Sequence, residues 1–200
     1  YRHEEDLAGL LDWLGVERAA ELGLSMGGRL AVDFALAYPA RVSALVLAGS
    51  SVSGYPWTED LGALDAALAA VIQQGGLPAA RESTLAEHWF QPTLRQREVI
   101  QSVTAQVRAY SGWHWLHHDP VISPQPPAYA RLEAVAVPTL VITGENDHPD
   151  IHGVAAAFAA RIPGAEAVLV PGAAHMLNLE APDVFNDAVL AFLARLEAGG

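Results

Sequence analysis

The chain contains no cysteine and no lysine among its 200 residues, and all eleven of its basic residues are arginines. Without cysteine, disulfides, thiolate catalysis and cysteine-ligated metal sites are excluded. Long apolar runs are lacking too, since none approaches the ~20 residues that a helix needs to cross a bilayer. No stretch has the pattern of a signal peptide. We expect a cytoplasmic protein, although the segment that would carry a targeting signal is itself expected to be missing ahead of Tyr1.

Positive charge is scarce, and the formal net charge is −12. Nucleic acids and anionic membranes both attract basic surfaces, so neither is an expected partner. Hydrophobic residues make up 52% of the chain, which predicts a compact globular fold rather than a disordered chain. A chain of this length forms one domain, with room for a small inserted subdomain.

Residues 1–53 alternate between helical and strand patterns. Apolar residues at helical spacing predict a helix over Asp6–Leu14. The short apolar run Ala19–Leu24 predicts a strand, and a second helix is expected over Met26–Tyr38. Ala44–Ala48 is continuously apolar, which is typical of a strand buried on both faces of a parallel sheet.

Strand patterns stop in residues 54–124, where helices are predicted near 60–74, 79–90 and 94–110. This region holds four of the five tryptophans, namely Trp57, Trp89, Trp113 and Trp115. We interpret it as an inserted helical cap that covers the nucleophile. Trp89, Trp113 and Trp115 are expected to line a substrate pocket there. The alternative is that these tryptophans only form the core of the cap.

Alternation returns in residues 125–200. The predicted elements are a strand at Pro138–Thr143, a helix near 152–161, a strand at Ala165–Val170 and a helix over about 182–196. Strands that alternate with helices predict an α/β fold with a mostly parallel, doubly wound sheet and helices on both faces. The expected organisation is a core formed by residues 1–53 and 125–200, with the helical cap 54–124 inserted between them.

The segment Gly23-Leu24-Ser25-Met26-Gly27-Gly28 contains G-x-S-x-G, the pattern of a nucleophile elbow. A serine on a sharp strand-to-helix turn projects its hydroxyl above the sheet in a strained backbone conformation. Side chains two positions on either side of Ser25 are expected to collide with the neighbouring strand and helix, which explains Gly23 and Gly27. A phosphate-cradling turn is the alternative. However, the turn lacks a Rossmann G-x-G-x-x-G pattern, and the chain has no Walker lysine.

A serine nucleophile needs a base, and the base needs a carboxylate that orients it. The elbow fold orders these groups along the chain as serine, acid and histidine. Asp147 and His175 follow the carboxyl ends of two predicted parallel strands, where α/β active sites lie. Glu145 and Asp150 are rival acids, with a solvated loop or a helix cap as their alternative role. The sequence therefore predicts a catalytic triad of Ser25, Asp147 and His175.

Two groups of histidines suggest a metal site at first sight. They are His114, His117 and His118 with Asp119, and the i,i+4 pair His148 and His152. Neither group completes a zinc motif such as H-E-x-x-H. We predict no bound metal and no other cofactor.

Three stretches together resemble the α/β-hydrolase superfamily. They are Asp6–Gly28 (DLAGLLDWLGVERAAELGLSMGG), Val137–Asp147 (VPTLVITGEND) and Ile162–Leu193 (IPGAEAVLVPGAAHMLNLEAPDVFNDAVLAFL). The chain is most similar in style to capped serine esterases and lactonases, including 3-oxoadipate enol-lactonase-like proteins. Haloalkane dehalogenases and epoxide hydrolases of this fold carry aspartate at the nucleophile position, so Ser25 argues against both.

The resemblance also implies elements that this chain does not show. The family places several strands and an oxyanion-hole loop, often containing His-Gly, ahead of the nucleophile strand. Only 24 residues precede Ser25, and none resembles that loop. We therefore expect the N-terminal strands to be missing from this chain, together with one oxyanion donor. The other donor is expected to be the backbone N–H of Met26.

The expected reaction is hydrolysis of a small carboxylic ester or lactone through an acyl-enzyme. Carbon–carbon bond hydrolysis, acyl transfer and cofactor-free perhydrolysis are alternatives with the same triad. An alternative from another class is a non-catalytic binding protein that kept the fold, since fold alone does not establish function. The expected partner is a small-molecule substrate, and the oligomeric state stays open.

Overall fold

A computed structural model of the chain describes residues 1–58, 60–86 and 91–198. The chain divides into two compact units. We call them the sheet unit, Tyr1–Tyr55 with Val121–Gly200, and the helical unit, Pro56–Pro120. No helix in the described ranges is both long enough and apolar enough to cross a membrane.

The secondary structure alternates as expected outside the helical unit. The four strands are β1 (Ala19–Leu24), β2 (Val42–Ala48), β3 (Thr139–Gly144) and β4 (Glu166–Val170). The helices are α1 (His3–Leu14), α2 (Met26–Ala37), α3 (Leu61–Ala86), α4 (Gln91–Leu94), α5 (Arg97–Ala109), α6 (Trp113–Leu116), α7 (Pro149–Arg161), α8 (Leu177–Glu180) and α9 (Pro182–Ala198). Two short 3-10 helices span Pro39–Arg41 and Ala128–Ala134.

The four strands form one parallel sheet in the order β1-β2-β3-β4. The register aligns Leu24 with Ala48, Ala48 with Ile142, and Ile142 with Val168. Because the strands are parallel and nearly in step, their carboxyl ends meet at one edge of the sheet. Side chains in the loops that leave this edge can therefore converge although they are far apart in sequence.

Strand β2 shows why a continuous apolar run belongs in the middle of such a sheet. Its side chains alternate between the two faces, as in any strand. Leu45 and Leu47 pack into one apolar core, whereas Val46 and Ala48 pack into the other. Both faces are covered by helices, so neither set of positions can be polar.

The two cores are built by different helices. The first contains side chains from α1, α2 and α7, such as Leu11, Phe34 and Phe158. The second contains side chains from α8 and α9, such as Leu177 and Phe192. Helices on both faces of a parallel sheet confirm the fold class that the sequence predicted.

All secondary structure described in the helical unit is helical. Its longest helix, α3, leaves helical geometry at Gly76, where φ is 67° and ψ is −166°. This kink lies between the helices predicted near 60–74 and 79–90, and Pro78 follows it within the first turn of the second part. The unit spans 56–120, whereas the sequence analysis placed the cap at 54–124. Its role as a cap stays a prediction.

The differences from the predicted elements lie mainly at element ends. Helix α1 begins at His3 rather than Asp6, with Glu4, Glu5 and Asp6 in its first turn. Acidic side chains are favourable there because they face the positive end of the helix dipole, yet they carry no apolar periodicity. Helix α7 begins at Pro149 rather than 152. The proline lies in the first turn, where the N–H that it lacks would have had no carbonyl partner in the helix.

Candidate active site

Ser25 lies between the end of β1 and the start of α2, with φ 54° and ψ −117°. It is the only non-glycine residue with positive φ in the part of the chain that the structure describes. Such a conformation costs about 1–3 kcal/mol and persists only where the surroundings impose it. The strained elbow predicted from G-x-S-x-G is therefore present in the backbone.

Hydrogen bonds to its own peptide groups hold Ser25 in this conformation. Its N–H donates to the carbonyl of Ala48 at 2.9 Å, which continues the β1–β2 ladder. Its carbonyl accepts the N–H of Gly28 at 3.1 Å and the N–H of Ser51 at 3.2 Å. The serine is thus tied to the adjacent strand β2, to the first turn of α2 and to the loop after β2. Sequence reasoning did not single out Ser51, and a serine after a strand carries no distinctive signal.

The glycines of the elbow differ in what they make room for. A Cβ on Gly23 would overlap backbone atoms of Gly27 and Gly28, and a Cβ on Gly28 would overlap the side chain of Ser50. A Cβ on Gly27, in contrast, would meet nothing within 4 Å. The expectation that positions 23 and 27 are both crowded is therefore wrong for Gly27. Its backbone is close to β1, but its Cβ position points into open space.

The loops after β3 and β4 bring an acid and a histidine to Ser25. His175 Nδ1 lies 3.0 Å from Oδ1 and 3.2 Å from Oδ2 of Asp147. His175 Nε2 lies 3.0 Å from the Oγ of Ser25. A carboxylate can only accept, so Nδ1 carries the proton and Nε2 is free to accept the serine hydroxyl. The structure thus brings together the three side chains of the predicted triad.

The acid and the histidine are both withdrawn from water. The Asp147 side chain is 0% exposed and that of His175 is 9% exposed. A buried carboxylate is costly unless its oxygens are hydrogen-bonded. Oδ1 of Asp147 also accepts the N–H of His148 at 2.7 Å, which satisfies the carboxylate further. The carboxylate of Asp147 is therefore held in place beside the imidazole.

The rival acids have other partners. Oε2 of Glu145 accepts the N–H of Gly172 at 2.8 Å and so joins the two loops. Asp150 lies in the first turn of α7, where its N–H donates to His148 Nδ1 at 3.1 Å. The charge of Asp150 acts on a residue outside the predicted triad, Tyr55. Burial raises the pKa of Tyr55, and the negative charge of Asp150 raises that pKa further. Of the three acids considered, Asp147 is the one whose carboxylate meets His175.

Met26 is the first residue of α2 and follows Ser25 directly. The N–H groups in the first turn of a helix have no carbonyl partner within that helix. They also lie at the positive end of the helix dipole, which favours negative charge beside the serine. The N–H of Met26 is thus suited to stabilise an oxyanion that forms on the Ser25 side of the elbow.

Of the three tryptophans predicted to line a pocket, two are described, and Trp89 lies outside the described residues. Within the helical unit, Trp113 is 43% exposed and stacks on His117 with ring centroids 5.3 Å apart. Trp115 packs edge-on against Tyr110 at 4.9 Å. Both thus contact other aromatic rings of their own unit, and a role in a pocket stays a prediction.

The histidine groups considered as metal sites do not assemble into one. His114 Nε2 lies 3.7 Å from a carboxylate oxygen of Asp119, and Tyr110 Oη lies 2.7 Å from His114 Nδ1. Within the described ranges, no group of three or more histidine, aspartate or glutamate side chains could hold a metal ion.

The similarity of this chain to known proteins agrees with this geometry. The family described as alpha/beta hydrolase fold matches residues 1–182. A hydrolase of known structure from Pseudomonas aeruginosa PA01 is 34% identical, with a TM-score of 0.76 over 96% of this chain and 72% of that chain.

Two curated relatives are similar over nearly the whole chain. The 2-hydroxy-6-oxononadienedioate/2-hydroxy-6-oxononatrienedioate hydrolase of Burkholderia vietnamiensis is 31% identical over 94% of this chain and 67% of its own length. The 3-oxoadipate enol-lactonase 2 of Acinetobacter baylyi is 26% identical over 95% of this chain and 69% of its own length. The chain therefore belongs to the α/β-hydrolase fold family, as its motifs predicted, and is an α/β-hydrolase enzyme.

Proposed function

We propose that the protein is a serine hydrolase that cleaves a small carboxylic ester or lactone through an acyl-enzyme. The observation that carries the proposal is the continuous hydrogen-bonded relay from Asp147 through His175 to the Oγ of Ser25. In such a relay the histidine acts as general base, and the acid keeps it in the correct tautomer. An unactivated serine hydroxyl is a weak nucleophile, so the relay is what makes attack on a carbonyl feasible.

The first half of the reaction forms the acyl-enzyme. The Oγ of Ser25 attacks the carbonyl carbon of the substrate while its proton passes to Nε2 of His175. The carbonyl oxygen becomes an oxyanion, towards which the N–H of Met26 donates. The oxyanion then collapses, the ester C–O bond breaks, and the leaving alkoxide takes the proton from Nε2. For a lactone the leaving group stays attached as the far end of the acyl chain.

The second half returns the enzyme to its starting state. A water molecule attacks the acyl carbonyl and gives a proton to Nε2 of His175. The second oxyanion collapses, the bond to Oγ of Ser25 breaks, and the serine recovers the proton from Nε2. An ester gives a carboxylic acid and an alcohol, whereas a lactone gives a single hydroxy acid. The carboxylate of Asp147 stabilises the imidazolium that forms in each half of the reaction.

A panel of p-nitrophenyl esters and lactones of increasing acyl size tests the proposal. We expect turnover that disappears in Ser25→Ala, together with covalent labelling of Ser25 by a small phosphonate probe. The enol-lactonase among the relatives supports including unsaturated lactones in the panel. Turnover that persists in Ser25→Ala would contradict a serine nucleophile, and labelling without any ester or lactone turnover would contradict the substrate class.

Hydrolysis of a carbon–carbon bond is the second candidate. The name of the Burkholderia relative describes an oxo-dicarboxylate without an ester bond, so its hydrolysis breaks a carbon–carbon bond next to a ketone. The triad can do the same if the departing carbon leaves as a stabilised carbanion that takes the proton from His175. A β-diketone in the panel separates this reaction from ester hydrolysis, since only a carbon–carbon hydrolase would turn it over faster than the esters.

Acyl transfer and perhydrolysis are alternatives that use the same side chains. Added alcohol or hydrogen peroxide would divert the acyl-enzyme to a new ester or a peracid, and product analysis separates both from hydrolysis. A burst followed by turnover is the result that we expect.

A further inference from the structure

Glu180 ends the one-turn helix α8, and its carboxylate binds the backbone on both sides of His175. Oε2 of Glu180 accepts the N–H of Ala174 at 2.6 Å. Oε1 accepts the N–H of Met176 at 3.0 Å. The residues directly before and after the histidine are therefore both held by one side chain. Sequence reasoning did not single out this glutamate.

Burial explains why a charged group serves here. Ala174 is 1% exposed, so bulk water has little access to its N–H, whereas Met176 is partly exposed. Hydrogen bonds to a carboxylate are shorter and stronger than those to a neutral acceptor. The main chain of Glu180 also takes part, because its N–H donates to the carbonyl of Met176 at 3.0 Å. The side chain of Glu180 thus holds the N–H of Met176, while its main chain holds the carbonyl of Met176.

The two flanking residues determine the direction of the Cα–Cβ bond of His175. That direction in turn decides whether Nε2 reaches Ser25 and Nδ1 reaches Asp147 at the same time. We propose that Glu180 is a positioning residue that aims the imidazole of His175 through the backbone on either side. This inference rests on the proposed function, in which His175 is the general base.

Glutamine is an informative replacement because it has the same size but one acceptor oxygen instead of two. In Glu180→Gln, one of the two N–H groups faces an amide NH2, which cannot accept. Glu145 offers a matched control on the same pair of loops. It lies outside the triad, and its Oε2 accepts the single N–H of Gly172 at 2.8 Å, which a glutamine oxygen can also do. Glu145→Gln should therefore preserve the geometry that Glu180→Gln disturbs.

The kinetic test compares wild type, Glu180→Gln, Glu180→Ala and Glu145→Gln on one ester, per active site titrated with a phosphonate. We expect kcat to fall about 10–100-fold in Glu180→Ala, since small misplacements of catalytic groups have effects of this size. The loss should be smaller in Glu180→Gln, with KM little changed in both variants. Glu145→Gln should match wild type. An equal loss in Glu145→Gln, or a change confined to KM, would overturn the proposal.

Proton NMR supplies a second test that needs no substrate. The His175 Nδ1 proton, hydrogen-bonded to Asp147, should give a downfield resonance in wild type and in Glu145→Gln. We expect this resonance to shift or broaden in Glu180→Gln, which retains the side-chain volume and should fold. An unchanged resonance would overturn the positioning role. If wild type cleaves no ester or lactone, the proposed function fails while this comparison still decides the role of Glu180.

Discussion

The sheet unit and the helical unit differ in how their notable side chains are held. In the sheet unit, Ser25, Asp147 and His175 each follow a strand, and hydrogen bonds at 2.9–3.2 Å fix their side chains and the peptide groups of Ser25 and Asp147. In the helical unit, Trp113 is 43% exposed and pairs with other rings. A tightly held constellation suits chemistry, whereas an exposed aromatic surface suits the choice of substrate. We therefore expect substitutions in the sheet unit to change the rate of reaction and those in the helical unit to change its selectivity.

The largest effect is expected from removing the nucleophile or the base. Ser25→Ala and His175→Ala should each lower kcat by about 10⁶-fold, and the double variant should be little worse, because the two residues act as a unit. Steady-state kinetics on an activated ester measures both. Losses that multiply in the double variant would contradict the shared role.

A smaller loss is expected for the acid. Asp147→Asn should preserve the fold and lower kcat by about 10⁴-fold, since an amide favours the wrong imidazole tautomer. Glu145→Gln and Asp150→Asn are the controls, because their carboxylates bind elsewhere in the same loops. Should either control lose as much activity per folded molecule as Asp147→Asn, the acid has been assigned to the wrong residue.

Two glycines of the elbow, both in the sheet unit, are expected to change the stability of the protein in opposite directions when each is replaced by alanine. Gly23→Ala should destabilise the protein by at least about 1–3 kcal/mol, because the new Cβ has no free space. Gly27→Ala should instead stabilise it by about 0.5–1 kcal/mol, since alanine is preferred over glycine in a helix. Gly27 has open space and no positive φ. Denaturant unfolding of both variants decides, and equal destabilisation would contradict the geometry.

Changes in the helical unit should affect selectivity by only a few fold. Trp113→Ala and Trp115→Ala are expected to alter the ratio of kcat/KM between a large and a small ester. Their rate of labelling by a small phosphonate should stay close to that of wild type, because the probe depends mainly on the triad. A parallel loss of labelling would mean that these tryptophans support the reacting groups rather than select the substrate.

The smallest effects on stability are expected from breaking one ion pair at the surface of each unit. Two hydrogen bonds from Arg161, at 2.8 and 3.1 Å, lower the pKa of Glu133 to about 2. In the helical unit, the hydrogen bond from Arg108 lowers the pKa of Glu82. A lowered pKa contributes stability at neutral pH that is lost as the pH falls towards the folded-state pKa.

NMR titration of the glutamate carboxyl carbons measures the pKa of Glu133 and the pKa of Glu82. Arg161→Ala should return the pKa of Glu133 towards the ordinary value of 4.5, whereas the pKa of Glu82 should stay lowered. Arg108→Ala should have the converse effect. Neither variant should change kcat, and a change in kcat would mean that an exposed pair reaches the active site.

The features of the elbow and of the sheet that were predicted from the sequence and are present in the structure share a physical origin. The backbone at Ser25 adopts φ 54°, and β1 passes close to the first turn of α2. Because this close approach leaves no room for a side chain at position 23, the constraint appears in the sequence as a glycine. Strand β2 is buried on both faces and therefore reads as a continuous apolar run. The errors occurred where no such constraint acts. Gly27 was expected to be crowded because Gly23, the other glycine of the motif, is crowded. Helix α1 begins before the predicted residue because its first turn consists of acidic residues, which show no apolar periodicity.

The fold family, the elbow at Ser25 and the order of serine, acid and histidine along the chain could all be inferred from the residue pattern alone. These features depend on local backbone demands and on strand ends, which leave residue patterns. The three acids Glu145, Asp147 and Asp150 all follow β3 within six residues of Gly144, and it is the folded structure that shows Asp147 in contact with His175. It likewise revealed Glu180 beside the histidine turn. Hydrogen bonds between loops depend on distances of about 3 Å, and no spacing along the chain encodes such distances.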